Sequence, residues 1–147
     1  MPKLRRAEPR DADAVLALMA ALGRPAVAGD PEGQRAVYLD HLSFDEAAVF
    51  VAEDEGEVVG AASLWVRPRL NWTTFEAWVP DLYVDPAHRR RGIARALLDA
   101  CVREARTRHC HRLVLETGPH RTEAHKLYED YGFRNAGLRF ELPLDPR

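Results

Sequence analysis

Asp81-Leu82-Tyr83-Val84-Asp85-Pro86-Ala87-His88-Arg89-Arg90-Arg91-Gly92-Ile93-Ala94-Arg95-Ala96-Leu97-Leu98 is the stretch on which the reading of this chain turns. A β-branched and aromatic run ends at Asp85-Pro86, and a helical pattern opens within a few residues. From residue 91 to 108, Ala94, Leu97, Leu98, Cys101, Val102 and Ala105 recur at helical spacing. Arg95, Asp99, Arg103 and Arg106 fall mainly on the opposite side. A strand feeding a turn that opens a long helix presents unpaired backbone N–H groups and the positive end of the helix dipole. Together these form an anion site. Gly92 lets a ligand approach the backbone closely, and Ala94 keeps the next position small. Arg89, Arg90, Arg91 and Arg95 add guanidinium groups suited to phosphate oxygens. The pattern lacks the Gly-Lys-Ser/Thr of a nucleotide P-loop and the three spaced glycines of a dinucleotide fold.

Outward from this stretch, the chain reads as one domain over residues 1–147. Residues 4–8 suit a first strand. Val15, Leu18, Met19 and Leu22 form one apolar helical stripe after an Asp available as N-cap, and Gly23 ends it. A second helix is expected over about 31–42. Strands are expected over 48–52 and 58–66, joined by the polar turn Glu53-Asp54-Glu55-Gly56-Glu57, and over 75–84, interrupted by Pro80. A strand over 113–115, a helix over 122–131 closed by Gly132 and a last strand over about 138–142 complete the order β-α-α-β-β-β-α-β-α-β. This is an α/β chain with a mixed, mostly antiparallel sheet and helices on both faces.

Composition narrows the function. Hydrophobic residues make up 46% of the chain and charged residues 30%, enough for a packed core. Twenty-one basic against 23 acidic residues give a formal charge of −2, which argues against nucleic acid or an anionic membrane as partner. No window approaches a membrane span, and no apolar run follows the basic N-terminus, so a cytoplasmic protein is expected, with Cys101 and Cys110 reduced. His109-Cys110-His111 and the pair His120 and His125 match no zinc-ligand spacing, so no metal is expected.

Two blocks resemble one family. Arg89-x-x-Gly92-x-Ala94, after Leu82-Tyr83-Val84-x-Pro86, is similar to the acetyl-CoA signature of the GNAT superfamily of N-acetyltransferases. Ala124-x-x-Leu127-Tyr128-x-x-x-Gly132-Phe133 resembles that family's later helix. The resemblance covers about residue 48 to the end of the chain. It implies that the strand ending at Leu82, Tyr83 and Val84 carries a bulge parting it from the strand at Leu113. Acetyl-CoA would lie there, its pantetheine bonded to backbone at Leu82 and Val84. The pyrophosphate would sit on N–H groups from Arg90 through Arg91, Gly92, Ile93 and Ala94 to Arg95. It further implies that Tyr128 hydrogen-bonds or protonates the leaving thiolate.

The sequence departs from the family twice. Arg121 stands where many members carry a cofactor-contacting Asn, and Trp78 stands where many carry a Glu. Strand alternation puts Glu76 on the Trp78 face, which nominates it as general base. Asp81, re-aimed by a bulge, and a water chain are the alternatives. Trp65, Trp72 and Trp78 lie in or beside the central strands, where they either pack the core or hold an aromatic or ammonium group. The implied reaction is direct acetyl transfer from acetyl-CoA to a primary amine of a small molecule or peptide. The alternative is a non-catalytic acyl-CoA-binding regulatory domain, which need not keep Tyr128. Homodimers are common in the superfamily, and the sequence leaves oligomeric state and acceptor open.

Overall fold

The computed structural model describes residues 2–23, 29–118 and 121–144, which divide into two compact units, Met1–Leu115 and Glu116–Arg147. The first holds strands β1 (Lys3–Arg6), β2 (Ala47–Asp54), β3 (Glu57–Arg67), β4 (Phe75–Val84) and β5 (Cys110–Leu115), with helices α1 (Ala12–Ala21), α2 (Pro31–Ser43) and α3 (Ile93–Thr107). The strands lie in sequence order in one sheet. β1 to β4 are antiparallel, and α3 carries the chain across so that β5 runs parallel to β4.

Alternation along the central strands builds two cores. Val51, Ala61 and Tyr83 face α1 and α2, meeting Ala12, Val15, Leu18, Leu22 and Tyr38. Their neighbours Ala52, Ala62 and Val84 face the other way, toward Ile93, Leu97 and Cys101 of α3. Helices therefore cover both faces, as the apolar pattern implies. α3 comes close because β3 carries Gly60. A Cβ there would stand 3.2 Å from Leu97 Cδ1, 3.3 Å from Ile93 Cγ2 and 3.3 Å from the Tyr83 carbonyl oxygen. Cys101 is fully buried beneath this helix, and burial pushes its thiol up to about 12. Both cysteines are free.

The second unit contains α4 (Thr122–Tyr131), ended by Gly132 in the left-handed region at φ 119°. The Gly132 N–H reaches the Tyr128 and Glu129 carbonyls, and the Phe133 N–H also bonds Tyr128 O at 2.9 Å. The rings of Tyr128 and Tyr131 pack on Phe133, with centroids 5.8 and 5.7 Å away.

Two expectations are corrected. Residues 138–142 form no strand. Leu138, Phe140, Leu142 and Leu144 alternate as a strand would, yet each is at least 80% exposed and the segment joins no sheet. Period-two patterning becomes a strand only where a neighbour takes its backbone groups. Asp11 occupies the N-cap position of α1, but its carboxylate does not cap the helix. It takes the Arg5 guanidinium with both oxygens, at 2.8 and 3.0 Å, and the Glu8 N–H at 2.8 Å. The Arg5 hydrogen bond, opposed by burial, leaves the Asp11 carboxyl below its ordinary range.

Gly60→Val is expected to cost about 1–3 kcal/mol, because the new methyls meet α3 and a backbone carbonyl. Denaturant unfolding of the purified variant measures this. Unchanged stability would show that α3 can move away without loss.

Candidate active site

Pro80 breaks β4 in two directions. Toward β3, Trp78 pairs with Trp65 and Asp81 with Ser63, so three steps on β4 match two on β3. This is a bulge at Val79 and Pro80. Toward β5, the register runs from Phe75↔Cys110 to Val79↔Leu115 and ends there. Proline has no N–H to continue a ladder. Pairing therefore ends at Val79↔Leu115, where β5 itself ends.

Backbone direction beyond the break follows from one bond. The Asp85 N–H donates to Val59 O at 2.8 Å, so odd-numbered residues of this segment turn their backbone groups to β3. Leu82 and Val84 turn theirs the other way, toward the side on which β5 pairs with the earlier part of β4. Arg89 Nε donates to Val84 O from that side at 3.3 Å.

The chain then makes a short 3₁₀ turn, Pro86–His88, with the Asp85 carboxylate accepting the Ala87 N–H. Arg90 and Gly92 both lie in the left-handed region, at φ 63° and 77°, and they aim the backbone into α3. The first helical bond runs from Ala96 N–H to Gly92 O, which leaves the Ile93 and Ala94 N–H groups outside the α3 ladder. No side chain caps this end, whereas the Asp30 carboxylate accepts the Gly33 N–H at the start of α2. Open space surrounds the position of a Cβ on Gly92. Uncapped N–H groups beside a vacant approach suit a diphosphate.

The arginines of this turn are partly committed elsewhere. The Arg89 guanidinium lies 5.2 Å over the Tyr83 ring, and Arg91 pairs with Asp54 at 2.8 Å. That hydrogen bond holds the Asp54 carboxyl below its usual range.

Glu76 shares the face of Trp78, as alternation predicts, but it sits in a clamp. The carboxylate is 1% exposed. Arg67 Nε reaches Oε2 at 2.7 Å, and Arg112 Nε and Arg69 Nη1 reach Oε1 at 2.7 and 3.4 Å. Burial pushes the Glu76 carboxyl up, but the hydrogen bonds and charges of Arg67 and Arg112 outweigh it, so the group titrates below the ordinary glutamate range. A carboxylate stabilised in this way is a weak proton acceptor. These surroundings give Glu76, nominated from the sequence as general base, a structural task across three strands.

Asp81 is placed differently. It borders a cavity of about 280 Å³ between the sheet and helices α1 and α2. Ser63 Oγ donates to Asp81 Oδ2 at 2.6 Å. His41 also lines the cavity. Its Nδ1 donates to Val37 O at 2.9 Å, because a carbonyl only accepts. Sequence reasoning missed Ser63 and His41, since neither stands in a recognisable spacing with Asp81. No tryptophan lines the cavity. Trp65 packs against His41 and Phe44, Trp72 stacks on His111 at 4.0 Å, and Trp78 lies under the Arg67 guanidinium.

Tyr128 and Arg121 belong to the second unit, in α4 and at its N-cap position. Among the described residues no group of three His, Cys, Asp or Glu side chains is arranged to hold a metal. His120 lies outside the described residues. No helix among them is long and apolar enough to cross a membrane.

The acetyltransferase (GNAT) family model matches residues 15–133, from α1 of the first unit to the end of α4 in the second. This chain belongs to the GNAT acetyltransferase family. It is 35% identical to human N-acetyltransferase 8 over 68% of its own length and 44% of that protein's. It is 32% identical to an aminoglycoside N(6')-acetyltransferase type 1 of Stenotrophomonas maltophilia, over 99% of this chain and 95% of the relative. It spans between 44% and 64% of the length of three of the curated relatives it matches. A solved aminoglycoside 6'-N-acetyltransferase, in complex with a bisubstrate analog of CoA, superposes with a TM-score of 0.85. The two are 21% identical, with 99% of each chain covered, which supports the fold.

Glu76→Gln is expected to cost about 3 kcal/mol at neutral pH, since it leaves three guanidinium groups without their buried counter-charge. The folded carboxyl titrates below its ordinary 4.5, so its stabilisation is complete above that pH and fades as pH falls through the lowered folded value. The gap between wild type and variant in denaturant unfolding should therefore be full at pH 7 and shrink below about 4.5. A gap independent of pH would assign the loss to packing.

Proposed function

We propose that this chain is an acetyl-CoA-dependent N-acetyltransferase acting on a primary amine. The observation that carries the proposal is the end of β4–β5 pairing at Val79↔Leu115, beyond which the backbone of Leu82 and Val84 faces away from β3 just ahead of the uncapped start of α3. An extended amide chain such as pantetheine can take up strand-like hydrogen bonds there, and a diphosphate suits the N–H groups from Arg90 to Arg95.

Acetyl-CoA supplies the activated acetyl group. The neutral amine nitrogen attacks the thioester carbonyl, a C–N bond forms, and the C–S bond breaks with its electron pair on sulfur. The nitrogen proton leaves through Asp81 or through water. Asp81 is the carboxylate bordering the cavity, and its bond from Ser63 fixes the orientation of the carboxyl. Tyr128 enters by the resemblance of its helix to the family's, and in this role its hydroxyl protonates the departing thiolate. Such a donor acts chiefly as charge builds on sulfur, so it favours the transition state over the bound substrates. Arg121 adds charge for the cofactor where many relatives carry an amide.

Two variants test the parts separately. Gly92→Ala and Gly92→Glu share the strain of a positive φ, but only Glu places negative charge at the helix start. Calorimetry should show acetyl-CoA binding weakened by Glu about tenfold or more relative to Ala. Equal affinities would remove the diphosphate from this position.

Tyr128→Phe keeps the ring that packs on Phe133 and removes the hydroxyl. Turnover should fall ~10²–10⁴-fold with acetyl-CoA affinity nearly unchanged. Wild-type turnover, with chemistry shown to be rate-limiting, would leave Tyr128 a packing residue.

A further inference from the structure

The ion cluster at the start of β4 holds more positive charge than its carboxylate needs. Arg67, Arg69 and Arg112 surround Glu76, three positive charges on one negative. Two bonds of 2.7 Å, from Arg67 Nε to Oε2 and from Arg112 Nε to Oε1, already serve both carboxylate oxygens. Arg69 Nη1 stands 3.4 Å from Oε1, at the limit of a hydrogen bond, and brings a third like charge to the group. The repulsion among the three falls when a second anion joins them. Glu76 is buried, but the arginine side chains are 40%, 44% and 45% exposed. Each guanidinium has five N–H donors and gives one nitrogen to Glu76, which leaves most of a half-exposed set of donors for another acceptor.

Strand register places this cluster on the sheet face that carries the cavity. Arg67 pairs with Glu76 and Glu76 with Arg112, Trp65 pairs with Trp78, and Ser63 with Asp81. Ser63 and Asp81 border the cavity. The arginine row lies beyond them along β3, about 13 Å from Ser63 at ~3.3 Å per residue. The start of α3 is at the other end of β4, with about 26 Å of strand between Glu76 and Val84. An anion held by the arginines is therefore not the diphosphate proposed for α3. On that reading pantetheine runs past Leu82 toward the bulge at Val79 and Pro80, and the arginines lie beyond its thioester end.

Resting on the acetyltransferase reading above, we propose that Arg67, Arg69 and Arg112 bind an anionic group of the acceptor, a carboxylate or a phosphate, roughly 10 Å from the amine that is acetylated. Guanidinium forks take the oxygens of either group in pairs. Glu76 holds Arg67 and Arg112 in place, and the Trp78 ring lies under Arg67 at 4.8 Å, so these two lose little freedom when the anion arrives. Arg69 stands in the turn between β3 and β4 and is the member that Glu76 needs least. It sets the preference for charge.

Trialanine spans about 10 Å from amine to carboxylate when extended, and its C-terminal amide differs from it by one charge. Calorimetry measures binding of trialanine, trialaninamide and inorganic phosphate to the wild type, Arg69→Gln and Arg69→Lys. Thiol release with acetyl-CoA gives kcat/KM for the two peptides, and denaturant unfolding checks that the variants fold. The wild type should prefer trialanine to its amide by about tenfold or more, in affinity and in kcat/KM. Inorganic phosphate should weaken trialanine binding more than amide binding. In Arg69→Gln the preference should fall below about threefold, and Arg69→Lys, which keeps the charge, should restore part of it.

Equal affinity for the acid and the amide, with phosphate binding unchanged in Arg69→Gln, would overturn the anion site. A preference that Arg69→Gln leaves intact would overturn it as well, and so would failure of both trialanine and phosphate to bind. Phosphate binding that is lost in Arg69→Gln, without a preference between the peptides, would support phosphate as the group bound. A preference for charge that depends on Arg69, in a protein that does not bind acetyl-CoA, would support the anion site and overturn the acetyltransferase reading.

Discussion

Proline at position 80 sits in a strand that has neighbours on both sides, where a ladder hydrogen bond would otherwise be required. The conflict is resolved by a bulge, and much of the geometry of the first unit depends on that resolution. Toward β3 the extra residue moves the register by one, so that Asp81 and Tyr83 share a face with Trp78. Without it, Asp81 and Tyr83 would point toward α3, and Leu82 and Val84 would face the cavity, since a one-residue slip exchanges the two faces. Toward β5 the same residue coincides with the end of pairing. One backbone irregularity thus aims a carboxylate into the cavity and coincides with the end of the β4–β5 ladder.

An opening of this kind needs a fixed end. Glu76 is paired in register with Arg67 on β3 and with Arg112 on β5, and its carboxylate binds both guanidinium groups. Three adjacent strands are pinned across one buried charge, close to where β4 and β5 begin to pair. Arg67 also lies over the Trp78 ring at 4.8 Å, which extends the cluster toward the bulge. The β4–β5 ladder is short, five register pairs, so an ion cluster at its start and a proline at its end define it. This explains a buried carboxylate that titrates below the ordinary glutamate range.

Legibility in the sequence followed the range of the interactions involved. β4 and α4 are bounded by local signals, Asp85-Pro86 and Gly132, and their extents were readable to the residue. The start of α3 was readable to within two residues, because Gly92 must adopt a positive φ there. The order of strands and helices along the chain implied a mixed sheet with helices on both faces, and the first unit has them. What escaped was set by distant partners. Glu76 looked like a base because its arginines stand 9 and 36 residues away. The cavity draws its lining from α1, α2, β2, β3 and β4, and no spacing joins Ser63 or His41 to Asp81. Residues 138–142 carry a strand pattern but no neighbour, and a pattern cannot supply one.

In the run Arg89-Arg90-Arg91 two of the three side chains are held by neighbours in the first unit. Charge counting assigns anion recognition to the guanidinium groups. Yet Arg89 is drawn onto Tyr83 and the Val84 carbonyl, and Arg91 onto Asp54. Both contacts brace the turn that connects β4 to α3. On the proposed reading a diphosphate would meet main-chain N–H groups there, whose aim depends on the left-handed residues Arg90 and Gly92. Backbone donors cannot be deleted by side-chain substitution and carry no rotamer entropy to lose on binding. Arg89 and Arg91 therefore hold this turn in place. The requirement on the sequence falls on glycine at 92, where open space and a positive φ coincide.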